Sequence, residues 1–165
     1  MTIIGIDPGY AIVGYGVIRY EKNRMNVLDF GAITTPAGME FPLRLKSIFD
    51  DMCYLFDKFK PDAMAIEKLF FNTNKTTAVD VAQARGVILL SAKLGGSEVY
   101  EYTPLQVKQS VVGYGRAEKK QVQEMTRQLL GLSAVPKPDD TADALAAAIC
   151  HAHHAGGRLA SIMKR

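Results

Sequence analysis

Two short apolar runs, each ending in a carboxylate, frame the first part of the chain. TIIGID occupies residues 2–7 and ends at Asp7, whereas DAMAIE occupies residues 62–67 and ends at Glu67. Their length and apolar character predict buried β-strands. Between them, apolar residues recur at helical spacing over 41–59, which predicts an amphipathic helix. A right-handed crossover through such a helix makes the two strands parallel.

The other elements follow an order that is typical of an α/β domain. Segments 13–20 and 25–33 are rich in β-branched and aromatic residues and flank the turn-prone EKNR, so a three-stranded antiparallel meander opens the chain. Downstream patterns predict a helix over 76–94, a strand over 97–102, and helices near 104–111, 118–131 and 141–155. The order βββαβαβα predicts a five-stranded mixed sheet flanked by helices on both faces.

The length and composition are those of a single globular domain. At 165 residues, the chain can bury its own core, and we predict one domain over residues 1–155 with a basic C-terminal tail over 156–165. No apolar run is long enough to span a bilayer, and the N-terminus lacks a signal-peptide pattern. The two cysteines, Cys53 and Cys150, form no disulfide framework. These features predict a cytoplasmic protein without membrane association.

Asp7 and Glu67 are candidate site residues because of where their strands end. If the two strands are neighbours, both acids lie at the carboxyl edge of the sheet, where open α/β sheets place their sites. The alternative for either acid alone is a hydrogen bond to the following turn. Two such acids on adjacent strand ends favour a site over two separate turns.

Asp140 and Asp143 form a second candidate pair near the start of the last predicted helix. Their i,i+3 spacing places both side chains on one helix face. The alternative is helix capping, with Asp140 as N-cap and Asp143 at the N3 position. The two roles are compatible, since a capped first turn holds its carboxylates rigidly.

Four acids from three segments, without a histidine or cysteine cluster among them, predict a site for a hard cation. Carboxylate oxygens suit Mg²⁺ or Mn²⁺ and not zinc. Because clustered carboxylates repel one another, a divalent cation is expected among them. Two ions about 4 Å apart would activate a water and stabilise a leaving oxygen, which predicts phosphodiester hydrolysis.

Several features predict a nucleic-acid surface, although the net charge of +3 alone does not. Lys108, Lys119 and Lys120 flank a glycine-containing segment and are candidate phosphate contacts. Phe70 and its neighbour Phe71 precede a polar loop and could stack on unpaired bases. The alternatives are solvated lysines and core phenylalanines.

The helix over 76–94 is predicted to pack on more than one side. Its apolar residues spread over most of its circumference, so one side suits the sheet and another a second copy of the chain. Simple burial inside a monomer is the alternative.

Five stretches distributed over about residues 2–154 carry a family resemblance. They are GIDPGYAIVGYGVI, AIEKLFFNTN, ARGVILL, VKQSVVGYGRAEKKQV and DDTADALAAAICHAH. In content and order they resemble the RuvC family of Holliday junction resolvases. The resemblance implies an RNase H-like fold, a homodimer, and Mg²⁺-dependent paired nicking of four-way DNA junctions, with a branch-migration complex of the RuvA and RuvB type as partner.

The resemblance also assigns roles to individual residues. It implies that the catalytic and metal-binding acids are Asp7, Glu67, Asp140 and Asp143. It places Phe70 at the position that wedges into the junction, and it matches Lys108 and Lys119 to basic positions near the active site. Asp139, beside Asp140, is a competing ligand that only the i,i+3 spacing to Asp143 disfavours.

Two functions from other classes remain open from the sequence. An actin-like nucleotide-binding protein also has Asp-x-Gly after its first strand, as in IDPG here, but needs two such domains. A non-catalytic junction-binding module would not need a full set of acids. Tight ATP binding would favour the first, and metal-independent binding without nicking would favour the second.

Overall fold

Three strands open the fold, and helices then alternate with two further strands. The computed structural model describes residues 1–68 and 75–162. Within them the elements are β1 (Thr2–Asp7), β2 (Ile12–Glu21), β3 (Arg24–Thr34), α1 (Phe41–Phe59), β4 (Ala63–Glu67), α2 (Lys75–Leu94), β5 (Glu98–Tyr102), α3 (Pro104–Val112), α4 (Lys119–Leu129) and α5 (Asp139–Ile162). None of the helices in this described part is long and apolar enough to cross a bilayer.

The five strands form one mixed sheet in the order β3-β2-β1-β4-β5. The first three strands pair antiparallel, which confirms the predicted meander. β4 runs parallel to β1 and β5 runs parallel to β4, which confirms that the two carboxylate-ended strands are neighbours. Ile6 is paired with Ile66, so the next residues, Asp7 and Glu67, leave the sheet side by side.

Side-chain alternation divides the sheet between two cores. Ile3 of β1 and Ala65 of β4 pack with α5, whereas Ile4 and Ile6 pack on the opposite face with α1 and α2. Because successive strand residues point to opposite faces, Asp7 and Glu67 share the face of Ile3 and Ala65. Both terminal acids of the strands therefore point to the side that α5 covers.

The backbone of α5 lies directly on β1 and β2 because glycines face it. A Cβ at Gly5 would lie 1.9 Å from the carbonyl oxygen of Ala144, and a Cβ at Gly14 would lie 2.0 Å from that of Asp140. Any side chain at these positions would push the helix away from the sheet. The approach of α5 is thus decided by residues on the strands.

Helix α5 is longer at both ends than the predicted 141–155. It begins at Asp139, and the amide of Thr141 donates to the carbonyl of Pro138 at 3.0 Å. Asp140 therefore lies inside the first turn, and the expectation that it caps the helix is wrong. At the other end, the helix continues through Gly156, where a Cβ would lie 2.3 Å from the hydroxyl of Tyr20. This glycine allows close packing on β2 and does not end the helix, which continues to Ile162.

Candidate active site

Asp7 and Glu67 form the sheet side of the candidate site. They are the last residues of β1 and β4, and the register makes them neighbours at the carboxyl edge. Each follows a run of buried strand residues, which fixes the position of its backbone. The side chains of both acids are only partly buried. The strand ends therefore supply two rigid, half-buried acids.

The first turns of α5 supply the helix side. Asp140 and Asp143 lie on one helix face, and both are partly buried. Gly14 connects the two sides, because it is paired with Asp7 in the sheet and packs against the backbone of Asp140. We call Asp7, Glu67, Asp140 and Asp143 the acid cluster.

Three members of the acid cluster, Asp7, Glu67 and Asp143, have raised pKa values. Burial, followed by repulsion from Asp143, Glu67 and Asp140, raises the pKa of Asp7 from 3.8 to about 8. Burial, followed by repulsion from Asp143, also raises the pKa of Glu67. The charges of the other three acids therefore all act on Asp7.

Lys119, at the start of α4, forms an ion pair with a member of the acid cluster. Its Nζ lies 2.8 Å from Oδ2 of Asp143 and 3.8 Å from Oδ2 of Asp139. Burial disfavours its charge, but the hydrogen bond to Asp143 and the surrounding carboxylates outweigh burial and raise the pKa of Lys119. The sequence suggested Lys119 only as a phosphate contact, and nothing local indicated this ion pair.

Asp139 and Asp140 have different surroundings. Asp139 accepts a hydrogen bond from Lys137 at 2.7 Å, and this contact holds its pKa below the usual value. Asp140 adds to the repulsion at Asp7, whereas Asp139 acts on Lys119 and Asp143 from the outer side. Of the two neighbours, Asp140 is the one whose charge acts on Asp7.

The donor chemistry of the acid cluster fits a divalent hard cation. All four side chains offer carboxylate oxygens, and repulsion from the other three acids adds to burial in raising the pKa of Asp7. As the side chains stand, no three histidine, cysteine or acidic residues in the described ranges converge closely enough to hold a metal ion. Lys119 on Asp143 provides part of the balancing charge in this arrangement.

The other candidate DNA contacts lie around this edge. Lys108, on α3, is half-buried, and its charge partly offsets the rise in the pKa of Glu67. Lys120 follows Lys119 on α4, is exposed, and lines a shallow groove with Tyr114 and Met125. Phe70 and Phe71 lie outside the described residues.

Gly5 and Gly14 position the site, and the sequence reasoning did not single them out. The available signal was glycine in the interior of a predicted strand, which often marks close approach of another backbone. The sequence could not indicate which backbone approaches, because Gly14 and Asp140 meet only in the folded chain.

Comparisons with known proteins identify one family over most of the chain. A family model described as crossover junction endodeoxyribonuclease RuvC matches residues 3–151. A relative of that name from Alkaliphilus metalliredigens is 58% identical over 164 residues, covering 99% of each chain. Another from Alkaliphilus oremlandii is 61% identical over 153 residues, covering 93% of each chain.

Solved structures resemble the chain over nearly its whole length. RuvC from Thermus thermophilus has a TM-score of 0.88 at 36% identity, covering 94% of this chain and 95% of that one. The same protein in complex with a Holliday junction substrate has a TM-score of 0.86 at 34% identity, with the same coverage. The yeast mitochondrial Holliday junction resolvase Ydc2 shares the RNase H-like fold, with a TM-score of 0.63, 16% identity, and coverage of 91% and 78%.

Proposed function

Because the chain belongs to the RuvC family of crossover junction endodeoxyribonucleases, we propose that the acid cluster is its reaction centre. The protein is an endonuclease that resolves Holliday junctions by paired nicks during DNA recombination and repair. The observation that supports this centre is that β1, β4 and α5 bring four carboxylates to one sheet edge, where the charges of the other three all act on Asp7. We propose Asp140, not Asp139, as the fourth member, because its charge acts on Asp7.

The enzyme is a metal-dependent nuclease, and the acid cluster would hold the metal. We propose Mg²⁺ as the cation, two ions per site, with Mn²⁺ as a substitute, since all four donors are carboxylates. Such ions, when bound, lower the pKa of a water and stabilise the leaving oxygen of a phosphodiester. This chemistry needs no covalent intermediate with the protein.

The chain's own residues keep this centre rigid. Asp7 ends β1, which is paired with β2 on one side and β4 on the other. This pairing fixes the backbone of Asp7 relative to the other acids. Asp140 and Asp143 lie on α5, which packs closely on the sheet because Gly5 and Gly14 have no side chains. Preorganised carboxylates of this kind do not have to be reoriented for each turnover.

The DNA surface would surround the acid cluster. We propose that Lys108, Lys119 and Lys120 contact phosphates, since all three lie on α3 or α4 beside the carboxyl edge of the sheet. Phe70 follows β4 by three residues and is proposed to wedge between bases of the junction. The complex of T. thermophilus RuvC with a Holliday junction supports four-way DNA as the ligand.

We propose that the protein acts as a homodimer through α2. One side of this helix packs in the core through Ala84, Ile88 and Ala92. The opposite side carries Val79 and Leu90, which are 60% and 55% exposed. Because a two-fold dimer presents two sites to two strands of like polarity, a second copy is the occupant that suits a four-way junction.

We also propose the biological setting that the family resemblance implies. The partner would be a branch-migration complex of the RuvA and RuvB type, acting with the nuclease on the same junction. The place of action would be the cytoplasm.

The decisive experiment uses a synthetic four-way junction with each strand end-labelled in turn, incubated with Mg²⁺ or with chelator. We expect paired nicks at symmetric positions that ligase can seal, and none with chelator. Binding without nicking at any Mg²⁺ or Mn²⁺ concentration would contradict the proposed centre. Cutting of hybrids or flaps in preference to junctions would contradict the substrate.

A further inference from the structure

Lys119 is held in its place by the start of α4. Glu118 is the N-cap of this helix, and its amide donates to Oε1 of Gln121 at 2.8 Å in a capping box. Lys119 is the first helical residue, so its backbone is fixed relative to the acid cluster. Its side chain then reaches Oδ2 of Asp143 at 2.8 Å.

This ion pair uses an oxygen that a metal ion would need. The side chain of Asp143 is only 25% exposed, whereas that of Lys119 is 55% exposed, so the pair lies between the protein interior and the solvent. The charge of Lys119 also acts on Asp7 and Glu67, which are the strand-end members of the cluster. An ammonium group and a divalent cation repel each other and compete for the same carboxylate.

We propose that Lys119 is the resident counter-ion of the acid cluster, paired with Asp143 until a divalent cation binds and displaced from Asp143 when it does. The inference rests on the proposed function of the acid cluster as a metal site. The observation that carries it is the 2.8 Å contact between Nζ of Lys119 and Oδ2 of Asp143. The displaced ammonium group is then available to a phosphate of the DNA strand.

The competing view is that Lys119 acts on DNA alone. In that case its charge has no specific effect on metal binding when DNA is absent. The two views therefore differ in a measurement that needs neither substrate nor cleavage, namely the affinity of the free protein for a divalent cation.

The test is calorimetric titration of the full-length protein with Mn²⁺ alone, comparing wild type, Lys119→Met and Lys119→Arg. We expect Lys119→Met to bind Mn²⁺ roughly two- to fivefold more tightly, the effect expected from removing a partly exposed ion pair. Lys119→Arg keeps the charge and should stay within about twofold of wild type. Thermal unfolding curves followed by circular dichroism verify that each variant is folded.

Lys120→Met is the matched control, because Lys120 is the next residue on α4 and forms no ion pair with any residue that the structure describes. It removes the same charge, so it measures the general electrostatic effect, which should be smaller. An Asp143→Asn background should abolish the gain from Lys119→Met. Equal gains in both lysine variants, or a gain that persists undiminished in the Asp143→Asn background, would overturn the proposal.

The failure of the metal site itself would look different. If wild type and all variants bind no Mn²⁺ at millimolar concentration, the proposed function of the acid cluster is wrong, and this inference falls with it. If wild type binds Mn²⁺ and Lys119→Met binds it equally or more weakly, only the counter-ion role is overturned.

Discussion

Asp7 combines three properties that single residues rarely share: it is half-buried, it ends a central strand, and three other acids act on it. We expect Asp7→Asn to slow junction cleavage by at least about a thousandfold, because a metal-binding carboxylate contributes several kcal/mol to transition-state stabilisation. Junction binding in a gel-shift assay should be unchanged or tighter, since a negative charge beside phosphates is removed. Substantial residual cleavage would contradict the assignment.

The same residue makes the metal-free protein sensitive to pH. The folded state keeps a proton on Asp7 up to about pH 8, whereas the unfolded chain releases it near 3.8. The free energy of unfolding therefore falls as pH rises between these values, by at most about 1.4 kcal/mol per pH unit from this group. Asp7→Asn should show a shallower fall and exceed wild type in stability more at pH 8 than at pH 5.

The measurement is chemical denaturation in the presence of chelator at both pH values. Burial also raises the pKa values of Glu67 and Asp143, so part of the slope should remain in the variant. Identical slopes in the two proteins would show that Asp7 titrates normally in the folded state.

Asp139 and Asp140 offer a matched pair of adjacent substitutions. We expect Asp140→Asn to reduce the cleavage rate by at least about a hundredfold, because Asp140 is the proposed fourth ligand and its charge acts on Asp7. Asp139→Asn should stay within about threefold of wild type, since Asp139 is paired with Lys137 on the outer side. Single-turnover cleavage of the same labelled junction compares them, and the reverse ranking would assign the ligand to Asp139.

At the scale of elements, the contact between α5 and the sheet decides the geometry of the site. Gly14→Ala would place a methyl group against the carbonyl of Asp140. We expect a loss of about 1–3 kcal/mol in stability from overpacking and at least about a tenfold loss in cleavage rate from displacement of the acids.

A control for this prediction is Gly38→Ala, because a Cβ at Gly38 meets nothing within 4 Å. Denaturation and single-turnover cleavage should both remain close to wild type for that variant. Full activity of Gly14→Ala would show that the start of α5 can shift without harm to the acid cluster.

The elements themselves were largely predictable, for local reasons. The predicted bounds of the strand over 2–7 and the helix over 41–59 agree with β1 and α1, because apolar periodicity is strong there and proline or glycine ends each pattern. The start of α5 was placed too late because two adjacent aspartates resemble a cap. In the fold, the carbonyl of Pro138 accepts the amide of Thr141, and the helix already includes Asp139.

At the scale of the whole molecule, the exposed side of α2 predicts assembly. Leu90→Glu should convert the proposed dimer into a monomer, because it would place a charge in the apolar contact proposed between two copies. Light scattering coupled to size-exclusion chromatography measures the mass. Leu43→Glu on α1 changes a similarly exposed leucine away from that surface and should remain dimeric. A dimeric Leu90→Glu would place the interface elsewhere.

The sequence alone determined the fold class, the parallel neighbours β1 and β4, and the four acids as candidates for one site. Hydrophobic periodicity and residue chemistry are local properties of the sequence. The right-handed crossover rule adds the topology. Only the tertiary structure decided that α5 rests on Gly5 and Gly14, and that Lys119 pairs with Asp143. Such contacts depend on ångström-scale packing between segments far apart in the chain, and no local pattern encodes that distance.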